Sequence, residues 1–140
     1  MPNNSIEIDL LHTLRKESGS DLKIDIWYEG EIWFFRPLGS IDSGTFSDME
    51  ITLMEAINQG MHMIVLDMTD VRYISSAGIR VLILGAKTLK KQSGELVLSS
   101  PNKTVDEIIG MSGLKKVFHV FPDNNSAWKY FSDKKQEKKR

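Results

Sequence analysis

Two adjacent hydroxyls, Ser75 and Ser76, stand at the mouth of the strongest helical pattern in the chain, within Val71-Arg72-Tyr73-Ile74-Ser75-Ser76-Ala77-Gly78-Ile79-Arg80. The first N–H groups of a helix have no partner inside it, so a serine oxygen at that place can cap them. The same N–H groups, with the positive end of the helix dipole, can hold a phosphate. The pair therefore either starts a helix or carries a regulated charge. Nucleophilic catalysis fails on spacing. A nucleophile elbow needs Gly-x-Ser-x-Gly, and the bulky Ile74 stands two residues before Ser76. His12, His62 and His119 are scattered along the chain instead of being gathered with an acid near the serine. No catalytic residue is assigned, and the chain is not expected to be an enzyme.

Other chemistries find less support. Neither Gly-x-Gly-x-x-Gly nor Gly-x-x-x-x-Gly-Lys-Ser/Thr occurs, so a phosphate-cradling nucleotide loop is not indicated. Asp67 and Asp70 flank the exit of an apolar run and read as a polar strand end, a poor ligand set for a metal. The absence of cysteine removes disulfides, thiolate catalysis and sulfur-ligated metals, and no cofactor is expected. Trp27, Trp33, Phe34 and Phe35 lack the interleaved basic residues of a base-stacking surface, and the formal net charge is -1, so direct nucleic-acid binding is not expected. No apolar run approaches the roughly 18 residues of a membrane span, and the polar start Met1-Pro2-Asn3-Asn4-Ser5 does not resemble a signal peptide. The expectation is a cytoplasmic protein with no membrane contact.

The elements that must position the serines follow from periodicity. Ile6, Leu10, Leu11 and Leu14 suggest a short amphipathic helix, and residues 1–21 read as an extension and linker whose apolar face either folds back on the domain or meets a partner, the first being favoured because exposed leucines are costly. Alternation from Leu22 to Tyr28, the turn Glu29-Gly30-Glu31 and the run Ile32 to Leu38 predict a β-hairpin. A helix is expected from about Thr45 to Asn58, with Asp42 or Ser43 as its cap and Phe46, Met49, Leu53 and Ile57 on its inner stripe. Met63-Ile64-Val65-Leu66 reads as a central strand covered on both faces. The serine helix follows, with Ile79, Leu82, Ile83, Ala86 and Leu89 inward and Gly94 closing it. Then come a strand over Glu95–Ser99, a helix opened by Pro101-Asn102-Lys103-Thr104, a strand over Val117–Phe121, and a last helix anchored by Ala127, Trp128 and Phe131. Residues 132–140 form a basic tail, expected to be a solvated end. Strands alternating with helices predict an α/β fold: one domain over 22–131, with a mixed, mostly parallel sheet, an N-terminal hairpin and about four helices.

Asp67 after an apolar strand, followed by Tyr73-Ile74-Ser75-Ser76-Ala77-Gly78-Ile79-Arg80-Val81-Leu82, resembles the signature of the STAS domain of bacterial anti-sigma factor antagonists. In that signature a hydrophobic residue and usually Asp precede the phosphoacceptor serine, and a small residue, Gly and an aliphatic follow it. Gly39-Ser40-Ile41-Asp42, Leu96-Val97-Leu98-Ser99 with Pro101, and Gly113-Leu114 with Phe118 and Ala127 match further family positions, extending the resemblance from about Leu22 to Phe131. It implies that Ser76 is the phosphoacceptor, with Ser75 where the family usually carries an acid. It also implies a partner surface of Asp42, Ser43, Ser75, Ser76, Ala77, Gly78 and Arg80. Arg80, one turn beyond Ser76, is placed to stabilise the phosphate. The implied partners are an anti-sigma factor with serine kinase activity and a phosphatase acting on the Ser76 phosphate. A STAS-type scaffold or ligand-sensing module with structural serines is the second reading.

Overall fold

A computed structural model of the chain describes residues 22–138; the amphipathic stretch expected within 1–21 lies outside the described residues. Strands β1 (Lys23–Glu29) and β2 (Ile32–Ile41) form the antiparallel hairpin, paired from Lys23 opposite Leu38 to Glu29 opposite Ile32. Gly30, at φ 64°, takes the left-handed position in its turn, where a residue without Cβ meets no penalty. Helix α1 (Phe46–Asn58), strand β3 (Met63–Asp67), strand β4 (Val71–Ile74) and helix α2 (Ser76–Lys91) follow. Strand β5 (Glu95–Ser99), helix α3 (Lys103–Met111), a 3-10 turn at Leu114–Lys116, strand β6 (Val120–Phe121) and helix α4 (Asn124–Lys138) complete the described residues. The sheet runs β1-β2-β3-β5-β6, with β4 paired to β2, and every pairing except the hairpin is parallel. The expected α/β architecture, with its hairpin and four helices, is what the described residues form.

The continuous apolar runs have a simple cause: both faces of the central strands are covered, so successive side chains enter different cores. Phe35, Ile64, Leu66, Leu96 and Leu98 point into the larger core with Met49, Leu53, Leu82, Val105 and Ile109 of α1, α2 and α3. Phe34, Val65 and Val97 point the other way, against Ala127 and Phe131 of α4.

Strand β2 serves two neighbours. Ile32–Phe35 pairs with β3, whereas Gly39 and Ile41 pair with β4 across an irregular register. Pro37, which has no N–H to give a ladder, lies between the two segments. The four-residue β4 was not predicted as a strand, because only Val71 and Ile74 are buried and Arg72 and Tyr73 between them are exposed, which gives neither alternation nor an apolar run.

Other expectations are corrected. The strand expected over Val117–Phe121 shrinks to Val120–Phe121: Leu114 and Phe118 are buried while Val117 is exposed, a helical spacing set by the 3-10 turn. Trp128 is not an anchor; Ala127 and Phe131, one turn apart, carry the contact and leave Trp128 exposed. In α2 the buried stripe includes Val81 and Gly85 as well as Leu82 and Leu89, and it leaves Ile79, Ile83 and Ala86 at its margin. A Cβ on Gly85 would come 3.1 Å from Leu53, so glycine sets how closely α1 and α2 pack. The basic segment expected to be a solvated end continues α4, where Lys134 and Lys135 pair with Glu95 and Glu31.

Phe35 is fully buried in the larger core. Phe35→Ala is expected to cost about 3–5 kcal/mol, read as a lower urea midpoint at unchanged slope.

Candidate functional site

The loops that follow the carboxyl ends of the parallel strands gather at one end of the sheet, and both serines lie there. Ser75 is the N-cap of α2, with extended backbone (φ -84°, ψ 174°), and its hydroxyl accepts a hydrogen bond from the Gly78 N–H at 3.3 Å. Ser76 is the first helical residue and is exposed. The first turn of α2 carries no acidic residue, whereas Lys90 and Lys91 complement the dipole in its last turn. The amino end of this helix therefore has no carboxylate of its own turn to balance it.

The start of α2 is keyed to the end of β2. The Ser75 N–H donates to the Ile41 carbonyl at 2.9 Å. A Cβ built on Gly78 would fall 2.4 Å from that same carbonyl oxygen and 2.9 Å from side-chain carbons of Ile41 and Ile74. Only glycine permits this approach.

The loop leading into α1 begins at that point too. Asp42 does not cap α1, and neither does Ser43: Thr45 occupies the N-cap position, with no side-chain cap bond. The Asp42 carboxylate instead accepts the Gly44 N–H at 2.9 Å, and its carbonyl accepts the Phe46 N–H at 2.8 Å. The Thr45 hydroxyl donates to the Ser40 carbonyl at 2.7 Å and accepts the Asp42 N–H at 3.0 Å. Asp42 is half-buried in this turn and Ser43 is exposed beside it. Because the Ser75 backbone is bonded to Ile41, the neighbour of Asp42, the α1 and α2 entry loops share one rim. Ala77 is half-buried and Gly78 buried, so of these two only Ala77 offers surface; Arg80 is exposed one turn beyond Ser76 and makes no ion pair with the described residues.

Two supports of the rim were not read from the sequence. The Asn102 side-chain amide, besides accepting the Val105 N–H as the N-cap of α3, donates to the Val71 carbonyl at 2.7 Å and so ties the β5–α3 loop to β4. Asp67, buried at the end of β3, accepts from the Thr69 N–H at 3.0 Å and from the Asn124 amide at 2.9 Å. Such partners, 31 and 57 residues apart in the chain, leave no local pattern. Asp70 lies 3.5 Å from Arg36, whose guanidinium is held above its ordinary value chiefly by the hydrogen bond to Asp25, with the charges of Asp25, Asp70 and Asp67 adding to it. Asp67 and Asp70 are thus committed to protein partners, and among the described residues no group of three His, Asp or Glu is arranged for a metal ion.

The STAS domain family matches residues 24–127, nearly all of the α/β unit. The chain belongs to the STAS domain family. It is 36% identical over 89 residues to BtrV of Bordetella bronchiseptica, a protein named as a candidate anti-sigma factor antagonist, spanning 64% of this chain and 77% of that one. It is 24% identical over 108 residues to the anti-sigma F factor antagonist of Paenibacillus polymyxa, spanning 76% and 92%. The fold is shared with an anti-sigma factor antagonist of Mycobacterium paratuberculosis (TM-score 0.72, 19% identity, 79% and 93% of the two chains). It is shared also with the phosphorylated form of SpoIIAA, a Bacillus cell fate determinant (TM-score 0.60, 18% identity, 79% and 99%). Among the described residues of this STAS chain, no helix is long and apolar enough to cross a membrane.

The STAS rim makes separate demands on its residues. Ser75→Ala, which removes the cap, is expected to cost about 1 kcal/mol, and Ser76→Ala less than about 0.5 kcal/mol. Gly78→Ala, which forces a methyl against the Ile41 carbonyl, is expected to cost about 1–3 kcal/mol. Chemical denaturation of the three variants, compared with the native chain, checks the order.

Proposed function

We propose that this chain is an anti-sigma factor antagonist of a partner-switching circuit. Unphosphorylated, it binds an anti-sigma factor that is also a serine kinase and so frees a sigma factor. The kinase transfers the γ-phosphoryl group of ATP to the Ser76 oxygen, the complex ends, and a phosphatase hydrolyses the phosphate to restore binding. The chain itself is the regulated partner and not an enzyme, and it works in the cytoplasm.

One observation carries the reading: Ser76 is an exposed hydroxyl at the first position of α2, while the capping task falls to its neighbour Ser75. The hydroxyl needed for modification is therefore not the one that holds the helix start. A phosphate there adds about 1.5 to 2 negative charges beside free N–H groups that favour an anion, so the fold tolerates it. Arg80, on the same side of the helix one turn later, supplies a cation for the phosphate oxygens. The same charge lands in the middle of the rim formed by Asp42, Ser43 and the first turn of α2, where repulsion and desolvation oppose a bound partner. Ser75, in the place of the family's usual acid, leaves both states one charge less negative, so the charge that separates them is that of the phosphate alone. The named relatives, one of them known in a phosphorylated form, support the same reading.

Incubation with ATP and the anti-sigma factor kinase of its own organism, followed by phosphosite mapping, tests it. Phosphate is expected on Ser76 and none on Ser76→Ala. Phosphate confined to other residues, with Ser76→Ala modified like the native chain, contradicts the reading.

A further inference from the structure

At the opposite end of the sheet, where the parallel strands begin, a cleft of about 900 Å3 opens between the carboxyl half of α2, the start of β5 and α4. Its charge is unlike that of the chain. The whole sequence holds 18 lysines and arginines against 19 acidic residues, whereas the cleft is lined by five lysines against two glutamates. Both glutamates are already engaged. Glu95 accepts the Tyr130 hydroxyl at 2.8 Å and the Lys134 ammonium at 2.8 Å, and Glu31 pairs with Lys135 at 2.6 Å. Glu95 holds the Lys134 ammonium well above its usual range, with the Tyr130 hydroxyl acting in the same direction. Lys87 and Lys90 on α2 and Lys116 on the 3-10 turn have no carboxylate partner among the described residues, and all three are exposed. They converge on the cleft from two elements.

Between the lysines the wall is apolar and aromatic. Tyr130 packs on His119 with ring centroids 4.8 Å apart and on Phe131 at 5.5 Å, and Val117 stands 54% exposed beside them.

We propose that this cleft binds a small organic anion, a carboxylate or phosphate ester carrying an apolar or aromatic body. Its volume falls in the range of roughly 300–1,000 Å3 usual for small-molecule sites. A cation is repelled by the uncompensated lysines, and a neutral apolar molecule leaves their charge unmatched. An anion with a flat or aliphatic body satisfies both, its charged group on Lys87, Lys90 and Lys116 and its body against Val117 and Tyr130. The site is separate from the serine rim, which lies beyond the other ends of the strands.

Naphthalene-1-sulfonate, an aromatic anion, is the probe, followed by NMR of the 15N-labelled chain. Saturable shift changes are expected at Gly94, Val117 and Tyr130. Lys87→Glu combined with Lys116→Glu should weaken binding at least tenfold with an unchanged melting temperature, since neither side chain holds a partner. Lys103→Glu combined with Lys129→Glu, which makes the same change of net charge outside the cleft, should bind like the native chain. Equal weakening by both pairs, shift changes mapping elsewhere, or equally tight binding of uncharged 1-naphthol would overturn the proposal.

Discussion

The contact between the start of α2 and the end of β2 is the constraint on which the rest of the site depends. The Ile41 carbonyl takes the Ser75 N–H, and the missing side chain of Gly78 lets the helix come close enough for that bond. Ile41 is itself fully buried and is followed at once by the turn that leads into α1. Two helix entrances are thereby fixed to one strand end. Their loops form a single rim, with one serine turned to capping and the next left in solvent. A larger residue at position 78 would press on the Ile41 carbonyl and on Ile74 and force the start of α2 away from the end of β2.

A charge added to such a rim has little reason to unfold it. The first turn of α2 has no acid, so a phosphate on Ser76 meets unopposed positive potential from the helix end. The cost falls on whatever covers the rim, because burying a dianion without full compensation is expensive. This asymmetry, tolerance inside the domain and penalty at its surface, is the physical content of a phosphorylation switch. The basic cleft at the other end of the sheet uses similar electrostatics in reverse: Lys87, Lys90 and Lys116, without a carboxylate partner among the described residues, would attract an anion instead of repelling one.

Much of this was legible in the sequence. Alternation at Leu22–Tyr28 specified the hairpin, and Met63–Leu66 specified a strand buried on both faces because each side chain needed an apolar core. The STAS resemblance rests on Asp67, the run from Tyr73 to Leu82 and Gly39-Ser40-Ile41-Asp42 at their spacings, and the family match bears it out. What escaped detection was set by tertiary packing. Strand β4 forms because β2 runs on past its pairing with β3 and offers Gly39 and Ile41 to it, Thr45 takes the N-cap position because Asp42 is used in its own turn, and Trp128 is exposed because Ala127 and Phe131 already fill the contact. The cleft joins Lys87, Lys116 and Tyr130 from elements that are distant in the chain, so no motif announces it.

The role proposed for charge at Ser76 is to govern partner binding without altering the fold. Its most direct measurement is the affinity of Ser76→Ala and Ser76→Asp for the partner captured from the source cell by the native chain, with the melting temperature of each variant recorded alongside. Binding is expected to persist in Ser76→Ala and to fall at least tenfold in Ser76→Asp, with melting temperatures that agree. Equal affinities for the two variants would contradict the account.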